Sequence, residues 1–266
     1  MGRELARLLP AARLYTREDL DVADEAGVRS ALSDARVVVH LAAFTNVDAC
    51  ESEPERAVAV NARGTEHVAR AAREAGARVI YVSTDYVFGG DKEGAYEEGD
   101  PPRPLNVYGR SKLEGERAIL ESPENLVVRT SWVYGGGRNF VSTIVTAARA
   151  GKELRVVADQ TGRPTWARDL ARALVHLVEA GTRGIVHVAG DGPPCTWADL
   201  ADEALHAAAI PVTVERVDTT TYARLAGRSL APRPANSTLS IEAARAAGVP
   251  LHDWRESVRA YVGEGP

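Results

Sequence analysis

The chain has 266 residues, 45% hydrophobic and 26% charged, enough apolar mass for a substantial core in one large or two modest domains. Its net charge of -5, with Lys and Arg dispersed along the chain, carries no electrostatic footprint for nucleic acid. No apolar run approaches the ~20 residues needed to cross a bilayer, Met1-Gly2-Arg3-Glu4-Leu5 lacks the apolar core of a signal peptide, and Cys50 and Cys195 fall in no metal-binding spacing, so the expected setting is cytoplasmic, with no membrane partner.

The first element, from Gly2 to Leu9, places Leu5, Leu8 and Leu9 on one helix face. A short β-like run follows at Arg13-Leu14-Tyr15, and a clearer one at Arg36-Val37-Val38-Val39-His40-Leu41, whose β-branched continuity predicts a strand covered on both faces. Pro54 opens a long Ala-rich helix through Ala75, closed by Gly76, and Ala77 to Ser83 reads as the next strand. A loop rich in Gly, Glu, Asp and Pro (Gly89 to Pro104) leads to a helix from Val107 to Leu120 and a strand from Leu126 to Thr130. This alternation predicts an α/β fold, a doubly wound parallel sheet of Rossmann-like type, over residues 1–150. Further on come helix Phe140 to Ala150, strand Leu154 to Val157, helix Ala167 to Ala180, strand Gly184 to Val188, helix Trp197 to Ala208 and a polar, Pro-punctuated stretch to Asn236. Residues 151–266 therefore read as a smaller lobe, with some elements returning to the sheet.

The strongest chemical signal is Tyr108-Gly109-Arg110-Ser111-Lys112, a Tyr and a Lys one helical turn apart on one face. A phenol beside an ammonium is pushed toward ionisation, which makes it a usable general acid. The same spacing also fits an amphipathic helix on which the two merely fall in register. Position separates these readings: ligands of a wound sheet sit beyond the carboxyl ends of its strands, and this helix follows such an end at Val82-Ser83-Thr84-Asp85-Tyr86. There the Thr84 hydroxyl reaches the oxygen that Tyr108 protonates, so that two donors meet developing negative charge; taken alone, Thr84 would satisfy its own turn. Asp48, Glu51, Glu53 and Glu55 read as a solvated helix start rather than a cation site. His40 reads as a core histidine, no metal site is expected, and no Ser-His-Asp set is apparent.

The chain resembles the extended short-chain dehydrogenase/reductases, and more narrowly the dTDP-4-dehydrorhamnose reductases, nearly end to end. The resemblance rests on residues 41–48 (LAAFTNVD), 51–55 (ESEPE), 83–88 (STDYVF), 104–109 (PLNVYG) with Ser111-Lys112, 129–134 (RTSWVY), 159–165 (DQTGRPT) and 233–237 (RPANS). It implies that Thr84, Tyr108 and Lys112 are catalytic, with Lys112 also holding the nicotinamide ribose, and that residues 1–150 bind the dinucleotide. It further implies that Ala43, Phe44 and Thr45 line the cofactor, that Asp21 and Val22 border its adenine, and that Thr84, Asp85 and Trp132 meet the substrate. An indole offers an apolar face to a deoxysugar and an N–H to one hydroxyl; Trp132 at a strand end also fits a plain core aromatic. The implied reaction is reduction of a 4-keto group on a dTDP-linked deoxy-keto sugar, giving dTDP-L-rhamnose. The cofactor would be NADPH or NADH, with Arg17 beside Thr16 favouring NADPH slightly. A homodimer is compatible with the resemblance.

The front departs from the pattern. Gly2 reads as the last glycine of a phosphate-binding turn, so that about ten residues, a strand and its tight turn, are expected ahead of it. Two other functions compete. A sugar-nucleotide dehydratase or epimerase of the same fold would carry an acidic residue where this chain has Tyr86. A non-catalytic regulatory subunit, like that of methionine adenosyltransferase, need not keep the Thr84, Tyr108 and Lys112 that this chain retains.

Overall fold

The computed structural model describes residues 1–227 and 229–265. Two helices, α1 (Gly2–Leu8) and α2 (Glu25–Leu32), precede strand β1 (Val37–His40), and the Asp24 carboxylate caps α2 by accepting from the Ala26 amide. Next come α3 (Val47–Ser52), α4 (Pro54–Ala57), a π-helical stretch (Val58–Arg63) and α5 (Gly64–Ala75), closed by Gly76 in the left-handed region at φ 68°. Strand β2 (Arg78–Thr84), α6 (Val107–Leu120) and β3 (Leu126–Thr130) follow. The remainder comprises β4 (Val133–Tyr134), α7 (Phe140–Arg149), β5 (Arg155–Val157), β6 (Thr161–Gly162), β7 (Thr165–Trp166), α8 (Ala167–Glu179) and β8 (Gly184–His187). After these lie β9 (Cys195–Thr196), α9 (Trp197–Ala207), β10 (Glu215–Val217), α10 (Thr219–Leu225), α11 (Glu242–Ala246) and α12 (Trp254–Gly263).

The main sheet runs β1-β2-β3-β8, every pair parallel. Side chains alternate between its two faces. Ile80, Leu126, Val128 and Val186 pack with Leu5 of α1 and Leu170 and Leu174 of α8. Val79, Tyr81 and Val127 pack on the other face with Val28 of α2, Val68 of α5 and Ile119 of α6. Burial on both faces explains why these strands read as continuous apolar runs. Strand β8 joins the sheet from beyond residue 150, beside β3. A separate core joins Val141 and Val145 of α7 to Leu200 of α9 and Trp254 and Val258 of α12.

One expectation is corrected and one refined. Arg13-Leu14-Tyr15 forms no strand: it has no backbone partner, Leu14 and Tyr15 are exposed, and Arg13 pairs with Asp34 instead. The Pro54 to Ala75 helix is continuous as expected, with helical backbone at each junction, but widens over Val58–Arg63 into a π-helical stretch, a kind of turn that often marks a functional position. Both cysteines are buried and free, their thiols pushed up by burial to about 11 at Cys50 and about 12 at Cys195, in keeping with a structural role. Among the described residues no helix is long and apolar enough to cross a membrane, and no group of three or more potential ligands is placed to hold a metal ion.

Candidate active site

Strand β2 ends at Thr84, and the chain turns at once into a 3-10 turn, Asp85–Val87. The Thr84 hydroxyl accepts from the Tyr86 amide at 3.2 Å and donates to Asp85 Oδ1 at 3.0 Å. Asp85 is buried, and burial pushes its carboxyl up to about 7 against hydrogen bonds from Ser237 and Thr84. Among the described residues no hydrogen bond reaches its Oδ2 or the neighbouring Ser83 hydroxyl, and both atoms are closed off from solvent.

Helix α6 is docked against this turn. Asn106 caps it, accepting from the Gly109 amide at 2.7 Å and donating to the Pro232 carbonyl at 2.8 Å, and the Val107 amide donates to Glu51 at 2.7 Å. Gly109 permits the approach, because a Cβ there would stand 2.1 Å from the Tyr86 carbonyl oxygen. Tyr108 is half-buried, edge-on to Tyr86 with ring centroids 6.1 Å apart. One turn on, the buried Lys112 donates to the Val82 carbonyl at 2.8 Å and stands over the Tyr81 ring.

The electrostatics differ from the sequence expectation. Burial raises the Tyr108 phenol above its ordinary value, with the Thr84 hydrogen bond opposing, and burial lowers Lys112 to about 7. Lys112 is engaged by the backbone and by Tyr81, so it does not acidify the phenol in this arrangement. Tyr108 is held protonated, the form a proton donor needs.

The loop after β1 carries Ala43, Phe44 and Thr45, with Thr45 exposed and the other two partly so. Asn61, wholly buried in the π-helical stretch, accepts from the Phe44 amide at 2.7 Å and donates to the Phe44 carbonyl at 3.1 Å and to Ser111 on α6 at 3.0 Å. One side chain thus ties this loop to the Tyr108–Lys112 helix. Val22 packs on Gly64, where a Cβ would stand 2.7 Å from it, and the exposed Asp21 carboxylate accepts from the Ala23 amide. Arg17 lies on an exposed loop, and Gly2 opens α1. The structure therefore gathers Thr84, Asp85, Tyr108 and Lys112 at one strand end. Among the described residues no hydrogen bond or ion pair joins Gly2, Arg17 or Asp21 to that group.

Trp132 lies two residues past Thr130, the register partner of Thr84, so it extends from the same end of the sheet. Its backbone is left-handed, φ 47°, which is strained for an aromatic residue. The ring stacks on Trp197 at 3.8 Å between centroids and 9° between planes.

A family model, the RmlD substrate binding domain, matches residues 1–265. The dTDP-4-dehydrorhamnose reductase of Mycolicibacterium smegmatis is 41% identical, the match covering 93% of this chain and 76% of that protein. A solved dTDP-4-dehydrorhamnose reductase from Clostridium acetobutylicum superposes with a TM-score of 0.92 at 33% identity, covering 99% of this chain and 95% of that one. Another, from Bacillus anthracis in complex with NADP, gives 0.89 at 32% identity over 98% and 95%. The chain belongs to the dTDP-4-dehydrorhamnose reductase family.

These relatives favour neither the dehydratase or epimerase reading nor the regulatory-subunit reading. Within the family's fold, three features of the site lay outside the sequence reading. Asn61 and Trp197 reach it through long-range contacts. The acidic group at α3 is more than a solvated face: Asp48 pairs with Arg233 at 2.8 Å and Glu51 receives the first amide of α6. Only Asn61, directly before Ala62 in a run of small residues, left a signal, as a polar residue on an apolar helix face.

Proposed function

We propose that this chain reduces the 4-keto group of dTDP-4-dehydro-L-rhamnose to dTDP-L-rhamnose, using NADPH or NADH, in the cytoplasm. The observation that carries the residue roles is the docking of α6 on the end of β2, which sets Tyr108 and Lys112 beside Thr84 through the Gly109–Tyr86 approach and the Lys112–Val82 hydrogen bond.

The residues fit a nicotinamide dinucleotide. The Ala43–Thr45 loop is open to solvent while Asn61 holds its backbone rigid, and the Lys112 ammonium is drawn to the same strand ends by the Val82 carbonyl. Lys112 would hold the nicotinamide ribose, Ala43, Phe44 and Thr45 the middle of the cofactor, Asp21 and Val22 the adenine, and Gly2 and Arg17 the phosphates. When bound, the cofactor supplies the hydride.

The chain's own residues do the rest. Tyr108, kept protonated by burial, donates its proton to the carbonyl oxygen as negative charge develops there, and Thr84, turning its one hydroxyl proton from Asp85, donates a second hydrogen bond to the same atom. Lys112 acts through the cofactor ribose and the Val82 carbonyl rather than on the phenol. Asp85 and Trp132, at the same end of the sheet, meet the deoxysugar. Supplying purified protein with dTDP-4-dehydro-L-rhamnose and reduced cofactor tests the proposal. Cofactor oxidation matched mole for mole by dTDP-L-rhamnose is expected; loss of water or inversion at carbon without cofactor consumption would replace it.

A further inference from the structure

Lys112 is buried without a carboxylate of its own. Its residue is 2% exposed, and among the described residues no ion pair reaches the ammonium. Glu116, one turn further along α6, is held on both oxygens by Arg129 of β3. The ammonium instead donates to the carbonyl of Val82, which lies one residue past the last β1–β2 pair, His40 with Tyr81. Its other partner is a ring. It stands 4.0 Å from the centre of Tyr81, inside the roughly 6 Å over which an aromatic face attracts a cation.

Tyr81 is built into the sheet. The residue is wholly buried within β2, and His40 of β1 stacks on its ring with centroids 5.4 Å and planes 24° apart. Its hydroxyl reaches the Asn61 carbonyl only at 3.5 Å, too long for a strong hydrogen bond. The ring face, not the hydroxyl, is therefore what Tyr81 offers to its surroundings.

From this geometry we infer that Tyr81 is a positioning residue for Lys112: its ring face is the platform that holds the ammonium at the strand ends where a nicotinamide ribose would meet it. The inference rests on the reading that Lys112 binds the cofactor. A neutral ring suits the position, because a carboxylate there would set a negative charge in the site of an anionic dinucleotide.

The platform has a signature in pH. Burial lowers Lys112 to about 7, with Glu116 opposing, and removing the ring withdraws support from the charged form alone, so the lysine then loses its proton at lower pH. The groups around it do not imitate this. His40 on β1 is lowered to about 3, Cys50 on α3 is pushed up to about 11, and Tyr108 on α6 is raised by burial, so all three are neutral near pH 7, while Glu116 is locked to Arg129. Asp85, raised to about 7 in the adjoining 3-10 turn, is common to every variant and cancels in their comparison.

Lys92, Lys112 and Lys152 are the lysines of the chain, so NMR of protein carrying carbon-13 in its lysine methylenes follows Lys112 directly, assigned by its loss in Lys112→Met. In the unmutated protein the ring current of Tyr81 should move the Lys112 ε-methylene protons upfield of those of Lys152, a readout that does not depend on how any Tyr81 variant folds. In Tyr81→Leu the Lys112 titration should fall by roughly 0.5 to 1.5 pH units, the worth of one cation–π contact. Cofactor affinity should weaken with it, by roughly three- to thirtyfold at about pH 8 and by less at about pH 6. Tyr81→Phe, which keeps the ring, should recover most of both effects. No upfield shift in the unmutated protein, an unmoved titration in Tyr81→Leu, an affinity loss that is absent or equal at every pH, or a Phe variant as weak as the Leu variant overturns the inference. If Lys112→Ala binds cofactor as tightly as the unmutated protein, the cofactor reading of Lys112 fails and the inference fails with it.

Discussion

The ammonium of Lys112 lies 4.0 Å above the ring of Tyr81. Gly115 makes room for that ring, since a Cβ there would stand 2.6 Å from the Tyr81 hydroxyl. The ring face and the Val82 carbonyl are the nearest compensation for a charge taken out of water. Burial nevertheless lowers Lys112 from 10.5 to about 7. Below pH 7 both folded and unfolded chains hold the proton, and the fold carries the full penalty of the buried charge. Between pH 7 and 10.5 the unfolded chain binds more protons, so stability rises with pH. Urea unfolding of the unmutated protein and of Lys112→Met across that range should show the difference moving in favour of the unmutated protein, by on the order of a few kcal/mol. A flat difference would mean that Lys112 stays charged in the fold.

Tyr108→Phe is expected to abolish turnover while leaving cofactor affinity nearly unchanged. The phenol gives its proton in the transition state and contributes little to the ground state. Turnover near the unmutated rate would remove Tyr108 from the mechanism. The companion Lys112→Ala variant should lose both turnover and cofactor affinity, read by single-turnover kinetics and by cofactor titration.

Asn61→Ala should weaken cofactor binding and lower stability together. It strands the Phe44 amide and removes one hydrogen bond each from the Phe44 carbonyl and the Ser111 hydroxyl, which keep Cys50 and the Tyr108 carbonyl as partners. Unsatisfied groups of this kind cost about 1–3 kcal/mol each when water cannot reach them. Denaturant unfolding and cofactor titration of one preparation check both effects. A variant that loses stability but binds cofactor normally would limit Asn61 to a structural role.

Arg129 and Glu116 form a bidentate pair of 2.9 and 2.7 Å, joining β3 to α6 with both side chains almost fully buried. Arg129→Met alone strands a buried carboxylate and should cost about 3–5 kcal/mol. The double variant Arg129→Met/Glu116→Met should cost clearly less than the sum of the two single variants. Additive losses in a double-mutant cycle would mean that the two residues act independently.

The periodic parts of the fold were legible in the sequence. Helix α6 lies where its pattern placed it, from Val107 to Leu120; β2 is shifted by one residue at each end and β8 ends one residue earlier, the usual fraying of element boundaries. Local spacing was enough to bring Tyr108 and Lys112 onto one helix face, and wound-sheet topology was enough to bring Thr84 beside them. His40 is a core residue as read, bonded to Thr65 at 3.0 Å. Residues 13–15 misled because β-propensity states only that a segment fits a sheet, while pairing depends on a neighbour. Asn61 and Trp197 were illegible for a related reason. Their partners, Ser111 and Trp132, lie 50 and 65 positions away in the chain, and no periodicity within a window of a dozen residues encodes contacts of that range. The electrostatics at Tyr108 and Lys112 were misjudged because depth of burial, not spacing, decides them.

The left-handed backbone at Trp132 is held in place by packing. A non-glycine residue at φ 47° costs on the order of 1–3 kcal/mol, which the surrounding stack must offset. Glycine at that position would relax the backbone but delete an indole stacked on Trp197, and losing a packed aromatic costs about 3–5 kcal/mol. A laboratory selection for thermal tolerance alone would therefore keep the tryptophan and its strained turn together.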